Sequence, residues 1–207
     1  MSLTERYADR LENAEDGSVS FSLRRALKAQ DGEVAFLALR RPRFEDMLAQ
    51  SKQPGDDMDR VGWLIAKLSG VAPSAFEGID AEDGLVLAEV IGGFLDRLPD
   101  EEEERQDGDL PARHADRIVQ DDDGAALTLR RPLATKDGEV TQITLRRPTW
   151  KEVKARGKAN LTSSAKLIAT LSGIGLLTLG RIDALDGLIL AELVSGFLGN
   201  SRPSGGR

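Results

Sequence analysis

The 207-residue chain contains no cysteine, one histidine and few aromatic residues, 4% in all. Without cysteine there are no disulfides and no thiolate metal sites, which suits a reducing compartment such as the cytoplasm. The one histidine, His114, lies in a strongly acidic stretch that offers no held geometry for acid–base work. No run of about 18 apolar residues is present, so no transmembrane helix is expected. The first residues, MSLTERYADRLENAEDG, lack the apolar core of a secretory signal. No glycine-rich turn leads into a helix with a phosphate-binding lysine. These absences leave no enzyme constellation and no cofactor site, and the expectation is a non-enzymatic protein.

What is present is an uneven charge and a repeat. The formal net charge is −7. Residues 99–123 alone hold eleven acidic against three basic side chains, whereas the following segment to residue 199 is net basic. A block of like charge with few apolar residues stays solvated and extended, so residues 99–124 read as an acidic flexible linker with His114 exposed in it. Residues 1–18 read as an acidic N-terminal segment and 200–207 as a flexible tail.

The repeat is dense. Leu23, Arg24, Arg25, Leu27, Asp31 to Val34 and Leu39 to Pro42 recur 106 positions later, ending in Leu145 to Pro148. IDAEDGLVLAEVIGGFL from Ile79 recurs as IDALDGLILAELVSGFL from Ile182, 103 positions later. Self-similarity of this kind means one module present twice, at 19–98 and 125–199. The three-residue change in spacing falls in QSKQPGDDMD, where a surface loop has been shortened.

Each module reads as a β-hairpin followed by about three helices, an α+β fold. SVSFSLRR and EVAFLALR are β-rich runs around an Asp-Gly turn. Leu37 and Leu39 match Ile143 and Leu145 and face a core; Phe36 matches Gln142 and faces outward. A short helix follows the second strand. A second helix carries Val61, Leu64, Ile65 and Leu68 at helical spacing and stops at Gly70. The third begins after Asp80 or Asp183 as N-cap, with Asp83 or Asp186 in its first turn.

That third helix has an unusually wide apolar face. Leu87, Ile91, Phe94 and Leu98, with Leu190, Val194 and Phe197 in the second copy, form a stripe beside a row of small residues at Gly84, Ala88 and Gly92 or Gly187, Ala191 and Ser195. A two-stranded hairpin has little surface to cover such a helix, so either the two modules pack on each other or the helix meets a partner, and these seven residues are the expected partner contacts. The Arg-Arg pairs do not read as a nucleic-acid patch, because strand alternation splits each pair between faces, no stacking aromatics are interleaved with them and the first copy is net acidic. Trp63 and Trp150 are expected to pack in the core or at a module interface.

The order of motifs, a hairpin with DGEV, then LxLRRP, a helix ending in LSG, and a last helix of form DAxDGLxLAExxxGFL, resembles the Mu-like phage tail assembly chaperone family. The resemblance implies a small non-enzymatic protein in the bacterial cytoplasm. It implies binding to the long helical tape measure protein, beside the tail tube protein, during tail assembly in a phage, prophage or gene transfer particle. The chaperone would then be absent from the mature particle. Homo-oligomers fit this expectation; a membrane or nucleic acid partner does not. The rival readings are a structural tail or baseplate component and an acidic DNA-mimic protein.

Overall fold

The computed structural model describes residues 2–29, 32–96, 110–136 and 138–198. Asp31, Asp137, Leu98, residues 99–109 of the acidic stretch and the tail 200–207 lie outside them. The chain divides into unit 1, Met1–Pro42 with Ala49–Glu104, and unit 2, Arg43–Leu48 with Arg105–Arg207. Each is α+β, a three-stranded antiparallel sheet followed by helices.

Unit 1 opens with α1 (Leu3–Arg6), a 3-10 turn at Ala8–Arg10 and β1 (Leu11–Asn13). β2 (Val19–Ala29) lies between β1 and β3 (Gly32–Leu39). The expected hairpin therefore gains a third strand, and residues 3–13 are folded rather than a separate acidic segment. Val19 pairs with Leu39 and Phe21 with Leu37. All four are buried while Phe36 is 63% exposed, the alternation the copy comparison predicts. Burying a side chain such as Phe21 or Leu39 contributes about 1.5–3 kcal/mol. Gly32 turns the hairpin at φ 128°, a region closed to most other residues.

After α2 (Phe44–Gln50), whose residues through Leu48 belong to unit 2, comes α3 (Asp57–Ser69). Asp56 and Asp59 form a reciprocal capping box at its start, and Gly70 ends it in the left-handed conformation. Its Leu64, Ile65 and Leu68 are buried. A four-residue turn, α4 (Pro73–Phe76), leads to α5 (Ala81–Phe94), where the Asp80 side chain accepts from the Glu82 N–H.

A buried ion pair locks the two ends of unit 1 together. The β2–β3 ladder shifts register between Ser22 and Leu27, which frees the Arg24 N–H from the sheet. Asp83, fully buried, accepts that N–H at 2.8 Å and the Arg10 guanidinium at 2.7 Å. Arg10 also donates to the Ser22 carbonyl and lies 4.5 Å from the Phe21 ring centroid. Asp83 is thus more than a favourable charge in a first helical turn.

Unit 2 repeats this plan. It runs α6 (Leu110–Arg113), a 3-10 turn at Ala115–Arg117, β4 (Ile118–Gln120), β5 (Gly124–Thr135) and β6 (Gly138–Arg146), in sheet order β4-β5-β6. Then follow α7 (Trp150–Arg156), α8 (Leu161–Ser172), α9 (Leu176–Leu179) and α10 (Ala184–Phe197). Two expectations are corrected here. Residues 110–124 are not linker, because β4 pairs with β5 from Ile118↔Leu127 to Gln120↔Ala125. His114 is 9% exposed rather than solvated, since it occupies the corner that Tyr7 fills in unit 1. The pair Arg117–Asp186, with the Arg130 N–H on the same carboxylate at 2.9 Å, duplicates the unit 1 lock at the matching register shift.

Unit 2 has one further component. Phe44, wholly buried, belongs to its core together with Leu127, Ile168, Leu185 and Leu190. The Phe44 and Glu45 N–H groups, which a first helical turn leaves without intrahelical partners, donate to the carbonyls of Ile182 (2.9 Å) and Gly180 (2.8 Å). A Cβ on Gly187 would lie 2.1 Å from the Phe44 ring. The small residue in α10 is therefore the floor on which that ring rests.

Candidate partner-binding surfaces

Of the seven apolar residues expected to meet a partner, Leu87, Ile91, Phe94, Leu190 and Val194 are buried. Phe197 is half-buried, and Leu98 lies outside the described residues. The five are corrected to core. Each sheet has a third strand, and the first helical turn of each unit also packs on the last helix, α1 on α5 and α6 on α10. That turn is bound by a glutamate of the last helix. Glu89 accepts from the Leu3 and Thr4 N–H groups and from the Thr4 hydroxyl; Glu192 accepts from the Leu110 N–H.

The signal for these contacts was in the sequence. Ala8-Asp9-Arg10 recurs as Ala115-Asp116-Arg117, a short extension of the repeat into the segments read as acidic spacers.

Burial pushes the Glu89 carboxyl up, but the hydrogen bonds from Thr4 and Leu3 outweigh it, and the group sits below its ordinary value of 4.5. A carboxylate held low stabilises above its ordinary value and loses that contribution as pH falls through the lowered one. Acidification below pH 4.5 should therefore loosen α1 from α5. Glu89→Leu should do the same at neutral pH, at a cost of about 1 kcal/mol, as for loss of a helix cap. Hydrogen exchange at Leu3 and Thr4 reads both effects.

Beside the last helix, unit 1 has a cleft of about 590 Å³, lined by Leu11, Val19, Arg41, Val90, Gly93 and Phe94 among others. Arg41 stands 5.1 Å from the Phe94 ring centroid and donates to the Phe94 carbonyl. Unit 2 has the same corner, with Arg147 at 5.8 Å from the Phe197 ring. A cation over an aromatic face beside an apolar cleft can hold both the apolar ridge and the acidic flank of an amphipathic helix.

Trp150, expected to pack, is 80% exposed at the start of α7. Trp63 is half-buried under Lys67. Among the described residues no three His, Asp or Glu side chains are placed to hold a metal ion, and no helix is long and apolar enough to cross a membrane.

Residues 126–199, from β5 through the end of α10, match the family model of phage tail assembly chaperone proteins, E, or 41 or 14. The second module is similar to a phage tail assembly chaperone. The match supports a role in phage tail assembly. The chaperone-like stretch includes Asp186, Arg130, Arg147 and Phe197; it omits α6, β4 and the Phe44 segment. No curated protein and no solved structure matches the chain.

Proposed function

We propose that the chain is a non-enzymatic tail assembly chaperone in which both modules serve, and that its client is a long helical protein of the tape measure kind. The match over residues 126–199 carries this reading, and the repeat extends it to the first module. The Arg41–Phe94 corner with its cleft, and the Arg147–Phe197 corner, receive apolar ridges of the client helix in a helix-in-groove mode. Two such sites on one chain act by avidity along a repetitive client. The acid-rich residues 99–109 keep the loaded complex soluble. The complex acts in the host cytoplasm while the tail tube protein assembles around the client, and the chaperone leaves before the particle matures.

Coexpression with the long helical tail protein tests this: the chain should bring it into the soluble fraction. Gly93→Glu gives the sharper arm. Gly93 is exposed, lines the cleft and has open space where a Cβ would go. A glutamate there suits the helix but places a charge in the cleft. Circular dichroism should be unchanged while client affinity falls about tenfold or more, equivalent to at least about 1.4 kcal/mol. Full client binding by the variant would move the site elsewhere. Mass spectrometry of purified particles should find the chain absent.

A further inference from the structure

The segment 43–48 and its counterpart 149–154 are built alike but housed differently. The Arg43 N–H binds the Asp46 carboxylate and the Thr149 N–H binds Glu152, both at 2.8 Å, so the two helix starts share a turn. Phe44 is wholly buried in unit 2, whereas Trp150, at the matching position, stands 80% in solvent. The first-turn N–H groups of Trp150 and Lys151 correspond to those of Phe44 and Glu45, which bind the carbonyls of Ile182 and Gly180.

The receiving surface is also duplicated. Gly84 corresponds to Gly187, Ile79 to Ile182 and Glu77 to Gly180. Glu77 and Gly180 have the same backbone angles, φ −57° and ψ −22°, and the helices that follow are capped alike by Asp80 and Asp183. In unit 2 this surface is covered by Phe44. In unit 1 a Cβ on Gly84 would meet only the Ile79 side chain at 3.5 Å, and Leu85 beside it is 47% exposed. Among the described residues, one seat is thus filled, one seat is open and one matching plug is exposed.

We infer that the open seat of unit 1 receives Trp150 of a second copy of this chain, giving head-to-tail association. The Trp150 ring rests on Gly84 as Phe44 rests on Gly187, and the Trp150 and Lys151 N–H groups meet the Ile79 and Glu77 carbonyls. Charge follows the same pairing. The Glu45 Cβ lies 3.2 Å from where a Cβ on Gly180 would stand; in the intermolecular pair, Lys151 takes the first position and Glu77 the second, opposite charges at one spot. Plug and seat are different surfaces of one chain and each copy offers one of each, so the contact closes into a reciprocal pair or a larger ring, or propagates as an open chain.

Light scattering and sedimentation of the full chain across a concentration series test this. The wild-type mass should rise from 22.4 kDa to multiples of it. Trp150→Asp, at an exposed site, should remain at the single-chain mass with its fold intact. Gly84→Leu should also remain single. A mixture of the two should stop at two chains, since one variant keeps only the seat and the other only the plug. A wild-type chain that stays single at every concentration overturns the inference, as does a Trp150→Asp chain that associates like wild type. The Trp150 variant decides alone should Gly84→Leu fail to fold. In a Trp63→Phe background the emission of Trp150 should shift to the blue with association; an equal shift at all concentrations would place the ring on its own chain and overturn the second-copy contact.

Discussion

Phe44→Ala should destabilise unit 2 by about 3–5 kcal/mol, the usual cost of emptying a buried phenylalanine site. The size follows from the surroundings. Phe44 is wholly enclosed by unit 2, and the floor beneath it is Gly187, which has no side chain to move into the space. The converse change, Gly187→Leu, should produce a loss of the same order by expelling the ring from the other side. The paired test separates this contact from ordinary core packing: in the Phe44→Ala background, Gly187→Leu should cost much less than in wild type. Hydrogen exchange of α10 peptides is the appropriate measurement, because it reports unit 2 separately from unit 1. A loss of about 3 kcal/mol corresponds to roughly a hundredfold increase in the opening equilibrium. Unchanged exchange in α10 would mean that residues 43–48 contribute little to unit 2.

Asp186→Ala should be comparably severe, about 3–5 kcal/mol, because it leaves the Arg117 guanidinium and the Arg130 N–H facing an empty, buried site. Asp186→Asn keeps an acceptor for the Arg130 N–H and should cost less. The pH dependence has a definite sign. Burial pushes the Asp186 carboxyl above its ordinary value of 3.8, against the hydrogen bonds from Arg117 and Arg130. The folded unit therefore holds that proton more tightly than the unfolded chain. This group's contribution favours the fold most at and below the ordinary value and declines as pH rises through the raised one. Glu152 runs the other way. The Arg146 hydrogen bond, aided by the Thr149 N–H, lowers it to about 2, so its contribution is lost as pH falls from its ordinary 4.5 toward that value. Denaturation of wild type and Asp186→Asn across pH 3–6 should differ in slope in that direction.

Most of the architecture was legible because it is written twice. The strand facing at Leu37, Leu39, Ile143 and Leu145, the N-caps at Asp80 and Asp183, and the helix stops at Gly70 and Gly173 are local patterns that one element decides by itself. The third strand was not legible, because β1 and β4 have three residues each and show no periodicity. Their place is fixed by distant partners, Arg10 by Asp83 and Arg117 by Asp186. The same omission misdirected the candidate site. A wide apolar face on the last helix looked uncovered only while the first helical turn of each unit, and in unit 2 the segment 43–48, were not counted as cover. What survives at the surface, the arginine over the last phenylalanine in each unit, joins residues about fifty positions apart and leaves no local pattern to read.

The position of Phe44 in the chain sets an order on biosynthesis. A ribosome releases the helix that begins at residue 44 well before Ile182 and Gly187 exist, so this aromatic anchor emerges with no permanent berth. The first module can close its own lock once Asp83 has left the exit tunnel, since both Arg10 and Asp83 lie within it. Residues 43–48 must wait for nearly the whole polypeptide. Until then the nascent chain carries this phenylalanine without the core that houses it, so the last helix to be made is also the one that completes the burial of residue 44.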